Sequence, residues 1–281
     1  QGAVDKSRSL LKQAENEKQL PRRWLLAIQS LKYDPVNRKA LNLKSYTEDE
    51  LSITGNRLDF TIGHTPYRWF VTESITLARC SGDLPLNLCS VSSFPKTIEI
   101  GCHAGRSFVC DRNTLYGVYV KNGNCSSEEL VVNQDRFCKI SPNKRYYLET
   151  PAQIVVGMIG KITVTPITAG VLFQFKKPYS PNQIIPTITE TREQLWPDWQ
   201  DLVSPVFIIS KASLTLGSRP DVGIQSSAMG AGTTLLHKQN GNFIIKNTTG
   251  AVVVDGESIQ TAPVMRKIVY HIGQVPLRFG E

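Results

Sequence analysis

The chain of 281 residues is poor in the side chains that most often carry chemistry, with 4 histidines and 3 methionines. No two histidines stand at helical ligand spacing, and no C-x-x-C pair occurs. Both absences argue against zinc, so no metal site is expected. The G-x-S-x-G, H-E-x-x-H and G-x-G-x-x-G patterns are missing as well. Gly157 to Lys161 has the glycine and lysine of a phosphate loop at the wrong spacing, and no cofactor is expected. No apolar run approaches the ~20 residues that cross a bilayer as a helix. The sequence does not open on a leader pattern, so if the protein is exported these residues are expected to be the mature or excised portion.

What is present is enough for a packed core. Hydrophobic residues make up 41% and charged residues 20%, with a mean hydropathy of −0.18, which excludes a disordered or fibrous chain. The net charge of +8 and the pI near 9.2 invite a nucleic-acid or acidic-surface reading. Resolved along the chain, the charge is local. Residues 1–45 hold ten Lys or Arg against four Asp or Glu, a balance of +6 that leaves +2 for the rest.

That segment reads as helical. Ser7 or Ser9 is placed to cap a turn carrying Leu10, Leu11 and Ala14, and Pro21 suits the first turn of a second helix. Trp24, Leu25, Ile28 and Leu31 share one face, with Arg22 and Arg23 on the other, and Asp34-Pro35 ends the run. A basic face of this kind suits anionic lipid, nucleic acid or an acidic partner, with Arg22 and Arg23 as candidate contacts. The simpler reading is a helix docked on the rest of the molecule with its charges solvated. Nucleic-acid binding is disfavoured, because no aromatics interleave with the charge. Self-assembly through residues 1–45 is the other use such an arm suggests.

All six cysteines, Cys80, Cys89, Cys102, Cys110, Cys125 and Cys138, fall within 59 residues. An even, clustered set predicts disulfides and an extracytoplasmic location: secreted, periplasmic, or on a cell or virion surface. Sequential pairing, Cys80–Cys89, Cys102–Cys110 and Cys125–Cys138, is the favoured one of 15 arrangements. Asn124 and Asn247 begin Asn-X-Ser/Thr triplets and are candidate glycan acceptors.

Beyond residue 50, short alternating runs separated by Gly, Asn, Pro and Ser predict strands. They include 58–62, 67–71, 74–77, 98–100, 117–120, 129–132, 154–157, 162–165 and 171–175. Further runs follow at 206–209, 213–216, 234–238, 243–246, 252–254 and 267–272, with Asn240-Gly241 marking a hairpin. The stretch 223–232 reads as a flexible Gly/Ser loop, and the proline-rich stretch 178–205 as a long connection. The expected fold is mainly β, with antiparallel sandwich- or barrel-like sheets, a basic helical N-terminal arm and a disulfide-stapled first half. The expected divisions are an arm at 1–45, a disulfide-rich β domain at 46–150 and a cysteine-free β-rich domain at 151–281.

No motif resembles a known family. Trp196, Asp198 and Trp199 form the most distinctive local cluster, a stacking platform or partner hot spot if exposed and a loop plug if buried. His64, His103 and the Asp198/Asp201 pair are the candidates for a loop-built hydrolase site, the alternative function. The favoured function is non-enzymatic: an extracytoplasmic surface, virion or assembly protein that binds a protein or glycan partner through loops on a β scaffold.

Overall fold

The computed structural model describes residues 2–78, 84–85, 98–114, 117–121, 129–132, 135–156, 160–176, 205–211, 213–219, 222–250 and 252–280. Three helices open the chain, α1 (Gly2–Asn16), α2 (Leu20–Tyr33) and α3 (Arg38–Leu51). The first strands are β1 (Arg57–Ile62), β2 (Thr65–Phe70), β3 (Ser74–Ala78), β4 (Leu84–Pro85), β5 (Ile98–His103) and β6 (Arg106–Asp111). Next come β7 (Val118–Lys121), β8 (Glu129–Val132), β9 (Asp135–Lys139), β10 (Arg145–Leu148), β11 (Ala152–Val156), β12 (Gly160–Ile167) and β13 (Gly170–Lys176). Then follow β14 (Val206–Ser210), β15 (Ser213–Gly217), β16 (Ile224–Gln225), β17 (Thr233–Gln239) and β18 (Asn242–Thr249). The last five are β19 (Val252–Val254), β20 (Glu257–Ile259), β21 (Thr261–Pro263), β22 (Val269–Ile272) and β23 (Val275–Phe279).

The strands form one long sheet, ordered β20-β19-β22-β23-β1-β2-β14-β13-β12-β11-β7-β9-β8, and two small ones, β10-β6-β5-β3-β4 and β16-β15-β17-β18-β21. The protein is mainly β with N-terminal helices, as expected. The sheets are mixed, however: β2–β14, β3–β4 and β15–β16 pair in parallel within otherwise antiparallel sheets.

Each small sheet covers one stretch of the long sheet, from opposite sides. Strand β14 shows how. Its run Phe207-Ile208-Ile209 is fully buried, yet Ile208 belongs to one core and Phe207 and Ile209 to the other. Alternation of side chains across a strand makes this the signature of a strand buried on both faces. The first core gathers Leu58, Trp69, Ile208, Phe243, Tyr270 and Phe279 with Trp24 of α2. The second gathers Ile75, Ile100, Val109, Val164, Phe173 and Phe207, with the Phe173 and Phe207 rings stacked 4.9 Å apart. Burying side chains of this size contributes roughly 1.5–3 kcal/mol each.

The helices dock on the first core. Pro21 lies in the first turn of α2, and the Asn37 side chain caps α3 by accepting from the Ala40 N–H at 3.2 Å. Trp24 is fully buried and donates its indole N–H to Glu48 of α3 at 3.0 Å. At the far end of α2, Gln29 and Lys32 both bond Glu257, the first residue of β20. Helix α1 begins at Gly2, ahead of the Ser7 or Ser9 cap expected; Ser7 is instead buried against Ser30 of α2, with hydroxyls 2.9 Å apart. Helix α3 also brings in Glu48, Asp49 and Glu50. Residues 2–51 therefore hold ten basic against seven acidic residues, a balance of +3, half of what the 1–45 count gives.

Two further expectations are corrected. Ile224 and Met229 are buried in the first core, so the 223–232 stretch packs and is not a loose loop. Cys102 and Cys110 are free thiols, and the Cys102–Cys110 bridge does not form. In the β5–β6 register Cys102 faces Ser107 and Cys110 faces Glu99, which puts the two thiols on opposite faces of the hairpin. With both free, a framework stapling all six cysteines is excluded. Cys138 is disulfide-bonded; Cys80, Cys89 and Cys125 lie outside the described residues.

Candidate functional site

The side chains with chemistry to offer collect on the face of β1, β2 and β23 turned away from the first core. Leu58, Phe60 and Ile62 point inward from β1, so Arg57, Asp59 and Thr61 point out. Cross-strand register sets Asp59 opposite Arg68, and Thr61 between Pro66 on one side and Arg278 on the other. Asp59, Thr61, Pro66, Arg68 and Arg278, together with Pro205 just ahead of β14, line a cleft of roughly 220 Å³. Phe60 and Tyr67, which alternate with them along β1 and β2, complete the lining. Their rings stack at 5.3 Å, and burial pushes the Tyr67 phenol above its ordinary pKa.

Charge within the cleft is unbalanced. Asp59 accepts from Nε of Arg68 at 2.9 Å and from its Nη2 at 3.4 Å, and lies 3.5 Å from Arg57. One carboxylate thus holds two guanidinium groups. Arg278 has no ion-pair partner among the described residues, and the Thr61 hydroxyl oxygen is buried without a hydrogen bond. The lining itself holds two guanidinium groups, Arg68 and Arg278, against one carboxylate, a balance of +1, with Arg278 uncommitted among the described residues. Such an arrangement can grip an anion and hydrogen-bond a polar neighbour.

A second cluster covers the outer face of β6 and β10. Arg145 lies over the Phe108 ring at 4.7 Å and Arg106 over the Tyr147 ring at 4.6 Å. Arg106 also meets Glu149 at 3.5 Å, and Arg112 pairs with Glu99. Most of these charges are spent on one another or on rings, so this cluster is structural.

The residues singled out from sequence fall elsewhere. Trp196, Asp198, Trp199, Asp201 and Asn124 lie outside the described residues. Arg23 donates twice to the Glu17 carbonyl, at 2.9 and 2.6 Å, and Arg22 lies 3.4 Å from the Glu17 carboxylate, so both tie the α1–α2 corner. Asn247 is only 8% exposed, and its Nδ2, the atom a glycan would take, donates to the Gly250 carbonyl. His64 sits in the turn before β2, whereas His103 interacts electrostatically with Glu73, past the end of β2. The two are therefore not brought together. No group of three or more His, Cys, Asp or Glu that could hold a metal occurs among the described residues. Burial raises the Cys102 and Cys110 thiols above their ordinary pKa, which suppresses thiolate chemistry at both.

Sequence reasoning found β1 and β2, but its final expected strand, 267–272, stops short of β23, and it missed the cleft. The available signal was the outward set itself, Asp59 and Thr61 on one strand and Arg68 on the next. Only pairing with β23, more than 200 residues on, adds Arg278. Comparisons with protein families, with curated proteins and with solved structures found no match for the chain.

Proposed function

We propose that the protein is a non-catalytic recognition or assembly component of an extracytoplasmic surface, of a cell or a virion, that binds a protein or glycan partner on a rigid β scaffold. The observation that carries this reading is the cleft on β1, β2 and β23, where Arg278 and the Thr61 hydroxyl, without partners among the described residues, stand on strands with a packed core behind them. Strands backed by such a core hold side chains in place at little entropic cost, which favours recognition. Among the described residues, no acid–base pair or nucleophile with its activating base lines the same cleft. The location is supported by the disulfide at Cys138.

Immobilised full-length protein, screened against acidic and neutral glycans and against extracellular proteins, should capture at least one class saturably and release it unchanged. Turnover of a glycosidic or phosphodiester substrate would sink the reading. For the location, alkylation of the denatured, unreduced protein should leave Cys138 unmodified; six modified thiols would place the protein in a reducing compartment.

A further inference from the structure

The geometry of the cleft points to a particular ligand chemistry, a carboxylate-bearing sugar unit, and this rests on the recognition reading above. Four features carry it. Among the described residues Arg278 has no partner, and it stands in register beside Thr61, so a guanidinium fork and a hydroxyl are offered side by side. A planar carboxylate matches that fork with two parallel hydrogen bonds. Asp59 is the third feature: a carboxylate already holding two guanidinium groups in the floor. It repels a dianion such as phosphate, yet it is a strong acceptor for the hydroxyls of a sugar ring. The fourth is the wall made by Pro66 and Pro205, apolar surface against which the C–H face of a pyranose packs. At roughly 220 Å³ the cleft takes one sugar unit and not a folded partner.

In the complex, Arg278 swings onto the carboxylate and a ligand hydroxyl reaches Thr61. A buried hydroxyl without a partner destabilises the empty state, so satisfying it favours the bound one. Asp59 keeps Arg57 and Arg68 in place and accepts from a second hydroxyl.

The test is titration of the full chain with D-glucuronate, N-acetylneuraminate, D-glucose and inorganic phosphate, read by calorimetry and by saturation-transfer NMR. At least one of the two acidic sugars should bind saturably, and more tightly than glucose or phosphate. Arg278→Gln should weaken that binding about tenfold or more. Thr61→Val, which keeps the shape and removes the orphan hydroxyl, should weaken it about fivefold with no fall in Tm. Equal or tighter binding of glucose or phosphate overturns the assignment. So does an acidic sugar that binds both variants as well as the parent. Absence of binding by both acidic sugars overturns it too. Capture of a glycan or protein in the broader screen, undiminished by Arg278→Gln, would keep the recognition reading while removing this site from it.

Discussion

Single side chains decide how the helices are held. Trp24 is wholly buried where α2 meets the first core, and its indole N–H ends on Glu48, which Lys44 also reaches at 2.7 Å. Trp24→Phe keeps most of the apolar contact and loses the hydrogen bond, for an expected cost of about 1–3 kcal/mol. Trp24→Ala opens a cavity as well, for about 3–5 kcal/mol. Urea unfolding midpoints should rank parent, Phe and Ala in that order. Glu257 is the second anchor. The hydrogen bond from Lys32 holds its carboxyl below the ordinary 4.5, with the Lys32 charge and Gln29 acting in the same direction against partial burial. A carboxyl that titrates lower when folded contributes its full stability above the unfolded pKa and loses it as pH falls through the folded one. Stability measured from pH 6 down to pH 3 should therefore carry a component that Glu257→Gln removes. If the parent and Glu257→Gln curves stay parallel, the anchor has no energetic weight. The amphipathic face around Trp24 was readable from spacing. Its partner was not, because Glu257 lies 225 residues from Lys32 and nothing local marks it.

At the level of elements, legibility follows periodicity and turn chemistry. The Asn240-Gly241 hairpin forms as expected, both residues having positive φ, 50° and 86°, as the tight turn joining β17 to β18 requires. Strands β6 and β10 escaped notice, since Arg106, Arg112, Arg145 and Tyr147 break the apolar alternation; those charges lie on rings or carboxylates across the outer face. Close approach of backbone is a further constraint. At the start of β3 the chain passes so near β5 that a Cβ on Gly101 would stand 2.4 Å from the Glu73 carbonyl oxygen and 2.6 Å from Ser74 Cβ. The same approach makes the hydrogen bond from the Cys102 N–H to the Glu73 carbonyl, 2.8 Å. Gly101→Ala should destabilise by about 1–3 kcal/mol through forced separation of β3 from β5. Amide exchange should show the loss of protection concentrated at Cys102 and its neighbours; an unchanged Cys102 amide would contradict the packing.

Across the whole molecule, the shared strand makes the two cores one thermodynamic unit. Ile208 fills one core and Phe207 and Ile209 the other, so neither core can melt while the other keeps β14 in place. Calorimetry should give a single transition whose calorimetric and van't Hoff enthalpies agree. Phe207→Ala, expected to cost about 3–5 kcal/mol, should lower that one transition and not split it. Two transitions would mean that the cores unfold independently. The run at 206–209 was legible as a strand from its apolar character. That it would lie parallel to β2 was not, because parallel pairing at long range leaves no local mark and is settled by both cores at once.

The parallel β2–β14 pair also sets a timetable for synthesis. Trp69, whose indole N–H bonds the Ser210 carbonyl at 3.3 Å, leaves the ribosome 141 residues before that partner. At elongation rates of about 5–20 residues per second, β2 waits roughly 7–28 s with one edge unsatisfied. An apolar strand left with an open edge is a template for pairing with a neighbouring nascent chain. Arg68 and its bond to Asp59 then do a second task, placing charge on the waiting hairpin during the interval when it is exposed.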